Sequence, residues 1–254
     1  LGVFEVTQSQ YKRFTHSSVF EGNVYFPVDG QMRPRENISW KVVRGADAVW
    51  PGETREQAYN SVSETCFIGG LRTHTGGLKF DLPTEAQWEF AARAGNGFGY
   101  WGDGSALGET NLKRLGRFLS NNSDVQKNAN NKYVFAANTD PREGGTAIVG
   151  SYEANDWGLY DMHGNVAEMC LDWYKSDITK NAAGEIMSNG AYLPDGTTAG
   201  GNKTVRGGCY CSEPKYCRPS ERTGYAPGAY RYEQGFRLCS AFWFQEEQLL
   251  DSAQ

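Results

Sequence analysis

The sequence predicts a mixed α+β fold of short strands, a few helices and a large share of irregular, turn-rich chain. Three observations lead there. Glycine occurs 31 times in 254 residues, yet few stretches hold a helical or strand period for long, which favours loops and tight turns over a helical bundle. The segment 82–95, LPTEAQWEFAARAG, carries a full set of helix signals. Seven Trp and 14 Tyr let large amphipathic rings build a core in a chain that is only 39% hydrophobic, provided their polar tips find partners.

Composition also excludes some functions. The net charge is −5 and no basic cluster stands out, which argues against a nucleic-acid footprint. No apolar run approaches the roughly 20 residues a bilayer span requires. The length accommodates one large domain or two ordinary ones. The chain opens at Leu1 inside a strand-like segment, so no targeting signal is legible from it. Six cysteines are an even number, but the grouping of Cys209, Cys211, Cys217 and Cys239 is unlike the even spread of a disulfide framework.

In chain order, 1–14 begins as a strand and turns at Thr7 into a short helix, Ser9–Phe14, capped by Thr7 or Ser9. A loop or hairpin around Asp29-Gly30 follows, then Asn37–Trp40 as a strand end entering a helix, and a second helix over Glu53–Ser63. In 82–95, Thr84 is the N-cap, Gln87 completes a capping box and Gly95 ends the helix. Leu82, Trp88, Ala91 and Ala92 form its buried stripe, and Glu85, Glu89 and Arg93 read as a solvated face. Asn96–Gly145 is polar, Asn- and Gly-rich and nearly aperiodic.

Asn155–Gly158 reads as a turn, and His163–Asn165 as a second turn before a strand. Asp161, Asn165 and Glu168 cluster oxygen ligands there, a set that suits calcium. The same residues also make turns without metal. Lys175–Lys203 reads as a surface excursion. His16, His74 and His163 have no metal-pair spacing and are read as structural or solvated. No nucleophile elbow, phosphate loop or dinucleotide fingerprint is present.

Residues 205–241 are of a different kind. Arg206-Gly207-Gly208 opens the stretch, and Gly235–Leu238 closes it as a strand-like run with Phe236 and Leu238 inward and Arg237 outward. Between them, Tyr, Ser and Gly supply the contact area and adaptable hydrogen bonding of a recognition surface.

Glu5-Val6-Thr7, Asn37-Ile38-Ser39-Trp40, residues 82–95, WGLYDMHGNVAE at 157–168 and the RGG…CR…GFRL frame at 206–238 resemble, in order, the formylglycine-generating-enzyme (sulfatase-modifying factor) domain. The resemblance implies one domain over 1–254 with a C-type-lectin-like core and short antiparallel strands. It also implies a structural calcium held by the side chains of Asp161 and Glu168 and the carbonyls of Gly164 and Val166. A second calcium site of the family would need an Asp where Gly150 stands.

Two branches of the family give different functions. Oxidase members hold copper between two C-terminal cysteines with four residues between them, which would put the first at Ser212, and thiolates are fitting copper(I) ligands. Here Cys217 takes the second place, while the nearest thiol to the first is Cys211, with five residues intervening. The other branch is the variable proteins of diversity-generating retroelements, of the Treponema type, which display a hypervariable patch on the same fold. Arg206, Gly207, Gly208, Cys217, Arg218, Arg222, Pro227, Gly228 and Gly235–Leu238 hold that frame, with Cys209-Tyr210 and Tyr230 as departures.

This second resemblance implies a non-enzymatic, monomeric binder at a cell surface, lipid-anchored upstream of Leu1, whose unknown ligand is a protein or other surface molecule. Its ligand-binding residues, at about 205–240, would be Tyr210, Cys211, Ser212, Glu213, Tyr216, Glu221, Thr223, Tyr225, Tyr230, Tyr232 and Glu233. Some of the tyrosines are expected to pack inward. A copper-dependent oxidase using Cys211 and Cys217 is the alternative.

Overall fold

Cap chemistry starts the helices. In the computed structural model, which describes residues 1–14, 24, 32–45, 62–96, 109–122, 125–127, 133–135, 145–176 and 201–240, Thr7 and Gln10 form a reciprocal pair. The Gln10 amide donates to the Thr7 hydroxyl at 3.2 Å, and the Thr7 amide donates to the Gln10 side chain at 2.9 Å. Helix α1 (Gln8–Phe14) follows, one residue earlier than expected. Ser39 accepts from the Val42 amide to begin α2 (Trp40–Arg44), and the Cys66 sulfur accepts from the Gly69 amide to begin α3 (Phe67–His74). Helix α4 (Glu85–Arg93) has the expected Thr84–Gln87 capping box; it ends at Ala94 in the left-handed region, ahead of Gly95.

Strands are short, as expected. β4 (Ala167–Trp173) is the longest among the described residues and lies inside a four-stranded sheet. It pairs antiparallel with β5 (Lys203–Arg206), with Glu168 opposite Arg206, and parallel with β7 (Gln234–Gly235), with Glu168 opposite Gly235. β6 (Thr223–Tyr225) pairs antiparallel with β5. β1 (Phe80–Asp81) pairs with β8 (Cys239–Ser240). The N-terminal segment runs beside residues 236–238: the Gly2 amide donates to Leu238 O at 2.7 Å and the Val6 amide to Phe236 O at 2.8 Å.

The main core joins Val6, Tyr11, Ile38, Trp40, Phe67, Ile68, Leu82, Met169 and Phe236. A second cluster sets Trp88, Ala91 and Ala92 of α4 against Leu159, Met162 and Cys170, so the expected stripe is buried. The chemistry of the helix's other face is different from expectation. Glu85 is buried and binds Arg222 and Arg206, and Glu89 binds Arg206. A sequence window sees only the helical spacing, whereas these arginines arrive from more than a hundred residues away.

Arg237 is a second correction. Strand alternation places it outward, yet it is fully buried, held by Glu168 and by the carbonyls of Gly2 and Tyr160. The nearly aperiodic segment 96–145 also holds more structure than expected: α5 (Glu109–Leu115), a 3₁₀ turn at Leu119–Asn121, and an antiparallel pair of β2 (Val125–Lys127) and β3 (Tyr133–Phe135). The helix expected at Glu53–Ser63, the hairpin at Asp29-Gly30 and His16, together with nearly all of Lys175–Lys203, lie outside the described residues. Among the described residues no helix is long and apolar enough to cross a membrane.

Candidate functional site

The C-terminal segment is built from a buried frame and a more accessible filling. Arg206 anchors the frame. Its guanidinium donates to Pro219 O at 2.6 Å and to Glu221 O at 2.9 Å, and binds Glu89. It also lies over the Trp88 ring at 5.6 Å. One planar, five-donor group thereby fixes the turn at 219–221 against helix α4. Gly207 and Gly208 follow at φ 91° and 68°. A side chain at Gly207 would meet Trp88, and one at Gly208 would lie 2.7 Å from Tyr216 O and 2.9 Å from the Cys217 sulfur. The RGG signature therefore answers to backbone conformation and close approach.

From that frame, Tyr216, Tyr230 and Tyr232 stand exposed, at 44%, 54% and 46% of their full surface. Thr223 is also exposed, whereas Cys211, Ser212, Glu213, Glu221, Tyr225 and Glu233 are half-buried. Tyr216 sits on a 3₁₀ turn, Pro214–Cys217, with the Lys215 ammonium 4.7 Å from its ring centre. Tyr225 ends β6 under the Arg231 guanidinium, 4.2 Å from its ring centre, and Arg231 pairs with Glu233. The 227–231 loop is tied down from behind: the Lys41 amide donates to Pro227 O and the Asn37 amide to Arg231 O, both at 3.0 Å. Lys215 and Arg231 were not among the expected contact residues. The only local signal for them is their position beside Tyr216 and Tyr230.

Tyr210 is a correction. It is 1% exposed, packs with Ala167, Val205 and Cys209, and its carbonyl accepts from the Asn122 side chain at 2.9 Å. It braces the face and cannot contact a ligand directly. Burial also pushes its phenol well above the usual range.

The thiols are arranged differently from the copper expectation. The Cys211 sulfur lies 3.2 Å from that of Cys209, while the Cys217 thiol is fully buried and directed at Glu213 O at 4.0 Å. Burial drives the Cys217 thiol well above its ordinary value. With the Cys211 sulfur against Cys209 and the Cys217 thiol directed at Glu213 O, the two thiols do not form a pair that fits copper in this arrangement.

The 161–168 turn is wholly buried. Glu168 receives Arg237 through Nε at 2.5 Å and Nη2 at 2.6 Å, and the Trp88 indole N–H at 2.7 Å. Asp161 accepts from the Gly150 amide at 2.7 Å through one oxygen; its other oxygen has no hydrogen-bond partner. Asn165 donates to Glu5 at 2.7 Å and accepts from the Ala147 amide at 2.7 Å. Burial raises Asp161 to about 6, and burial together with the Asp161 and Glu168 charges raises Glu5 well above the carboxylate range. The expected set of Asp161, Gly164, Val166 and Glu168 does not fit calcium here, because both Glu168 oxygens are committed and the guanidinium already supplies the cation. Among the described residues, no group of three or more His, Cys, Asp or Glu is placed to hold a metal.

His163 is buried, with its Nδ1 3.0 Å from Cys217 O, and His74 bonds Gly70 O within α3, as their structural reading expects.

Comparison with known proteins gives a consistent picture. Residues 1–242 match the family described as the sulfatase-modifying factor enzyme 1-like domain. The serine/threonine-protein kinase pkn1 of Chlamydia caviae is 35% identical over 93% of this chain and 32% of its own length. The formylglycine-generating enzyme of Thermomonospora curvata is 31% identical over 63% of this chain and 48% of its own. The chain thus spans a third to a half of these relatives. Among solved structures, Treponema denticola variable protein 1 is similar with a TM-score of 0.58 at 24% identity, covering 93% of this chain and 82% of that one. PvdO from Pseudomonas aeruginosa follows with a TM-score of 0.51 at 21% identity, covering 82% and 62%. These likenesses are of fold.

Proposed function

The chain belongs to the sulfatase-modifying factor enzyme 1-like family, and on that premise we propose that it is a non-enzymatic binding member, displayed at a cell surface and diversified by a retroelement along its C-terminal face. The observation that carries this reading is the contrast between exposed Tyr216, Tyr230 and Tyr232 and the buried Arg206, Cys217, Phe236 and Arg237 of the same segment. Tyrosine offers large contact area with few rotors, and a backbone already bonded to the scaffold loses little freedom on binding. Residues in such a filling can change without disturbing what folds the domain. The partner is a protein or other surface molecule contacted through these tyrosines, with Thr223, Glu221, Glu213 and Ser212 tuning the choice.

The experiment is to sequence codons 205–240 from many clones of one natural population. Changes confined to adenine-containing codons of the filling, with the RGG, CR and GFRL frame fixed, support the reading; an invariant stretch removes it. A second reading is favoured by the relatives that bear the name formylglycine-generating enzyme. Copper-dependent oxidation of a sulfatase-type cysteine peptide would require Cys217 to leave the core and join Cys211. Copper-loaded protein, oxygen and such a peptide, followed by mass spectrometry, tests it: an unchanged peptide mass eliminates the oxidase.

A further inference from the structure

Cys209 and Cys211 form a dithiol distinct from the Cys211–Cys217 pair of the copper alternative. They occupy positions i and i+2 of a tight turn closed by the Ser212 amide, which donates to Cys209 O at 2.9 Å. Their sulfurs are 3.2 Å apart. The Ser212 hydroxyl accepts from the Cys209 amide at 3.0 Å, which leaves its own hydrogen for the Cys209 sulfur at 3.1 Å. The buried Cys209 sulfur is therefore within hydrogen-bond reach of both the Cys211 thiol and the Ser212 hydroxyl. Cys211 is partly open to solvent, while Cys66, Cys170 and Cys217 are sealed in the core.

We propose that Cys209 and Cys211 are a redox-active pair that exchanges with low-molecular-weight disulfides, Cys211 as the entry thiol and Cys209 as the resolving one. In the first step Cys211 attacks a sulfur of the external disulfide, whose S–S bond breaks, and the Cys211 proton passes to the departing sulfur. One external thiol leaves, and Cys211 carries a mixed disulfide. In the second step Cys209 attacks the Cys211 sulfur, its proton passes to the departing group, and the second external thiol is released. One external disulfide is reduced to two thiols as two protein thiols become one disulfide. A turn places i and i+2 Cα atoms about 5–6 Å apart, inside the range a disulfide spans. Exposure selects Cys211 as the entry thiol, and the 3.2 Å approach of the buried Cys209 sulfur selects that residue as the resolving one. The inference stands apart from the binding role, because it rests on the turn and not on the tyrosines.

Glutathione disulfide tests it on the whole chain. Trypsin cleavage after Arg206 and Lys215 releases residues 207–215, which hold Cys209 and Cys211 and no other cysteine. The wild-type protein should yield this peptide short of two hydrogens and free of glutathione, while Cys170 and Cys217 stay reduced. Cys209→Ser should instead accumulate glutathione on Cys211, and Cys211→Ser should yield neither product. A wild-type peptide that stays fully reduced, or that keeps a stable glutathione on Cys211, overturns the proposal. Because the wild-type measurement alone decides, a variant that fails to fold does not blur the result. Unfolding would in any case announce itself by alkylation of Cys170 in the same digest.

Discussion

Arg237 grips Glu168 with two parallel hydrogen bonds of 2.5 and 2.6 Å, and neither side chain has any solvent-exposed surface. The pair joins the C-terminal frame to the central strand β4. Its remaining donors reach Gly2 O at 3.0 Å and Tyr160 O at 2.9 Å, so a single guanidinium ties four segments together. Arg237→Met would leave Glu168 buried with only the Trp88 indole N–H for company. The expected loss is about 3–5 kcal/mol in urea unfolding, because an uncompensated buried charge costs more than the pair contributes. Adding Glu168→Gln to that variant should recover part of the loss. If the double variant is as unstable as the sum of the singles, the two residues are not coupled as described.

Tyr210 and Tyr230 separate brace from contact. Tyr210→Ala removes a ring buried among Ala167, Val205 and Cys209 and should cost about 3–5 kcal/mol, like other large-to-small core changes. Tyr230→Ala removes a ring that is 54% exposed and should shift stability by less than about 0.5 kcal/mol while changing which partners are retained. Equal destabilisation by both would place Tyr230 in the core and withdraw it from the binding face.

Local chemistry was legible in the sequence, and long-range chemistry was not. The Thr84–Gln87 box and the Trp88 stripe were readable because caps and helical periods are written within a few residues. The 155–158 and 163–165 turns were readable for the same reason. Arg237 and Glu85 were misread for one shared cause: alternation and i, i+4 spacing place a charge outward unless a buried partner is known, and their partners lie 69 and 137 residues away. Tyr210 was misread because a tyrosine in a loop-like stretch carries no local mark of burial. The Cys209–Cys211 contact was adjacent in sequence but depended on a turn that the sequence pattern did not specify.

Arg206 should control the order of the loop it supports. Arg206→Lys keeps the charge but cannot reach Pro219 O, Glu221 O and Glu89 from one rigid fork. The expected loss is about 1–3 kcal/mol, with amide exchange quickening at 219–225 more than in α4. Unchanged exchange over 219–225 would show that the turn holds without the guanidinium.

His163 should make the fold sensitive to mild acid. Burial lowers its value from 6.5 to about 4, so between those limits the unfolded chain binds more protons than the folded one. Stability from this group is therefore full above about 6.5 and falls as the pH drops to about 4, by roughly 3 kcal/mol in total. Asp161 and Asp172 act in the opposite sense. Burial raises each from 3.8 to about 6, so the folded chain holds the extra protons there, and their contribution falls as the pH rises through that window. The net slope of the wild type mixes both, and the His163 share emerges by difference. Urea unfolding of the wild type and of His163→Leu at several values from pH 7.5 to 4.5 isolates it. The stability gap between the two proteins should shift in favour of the variant as acid is added. A gap that stays constant over that range would mean the imidazole is not held neutral in the fold.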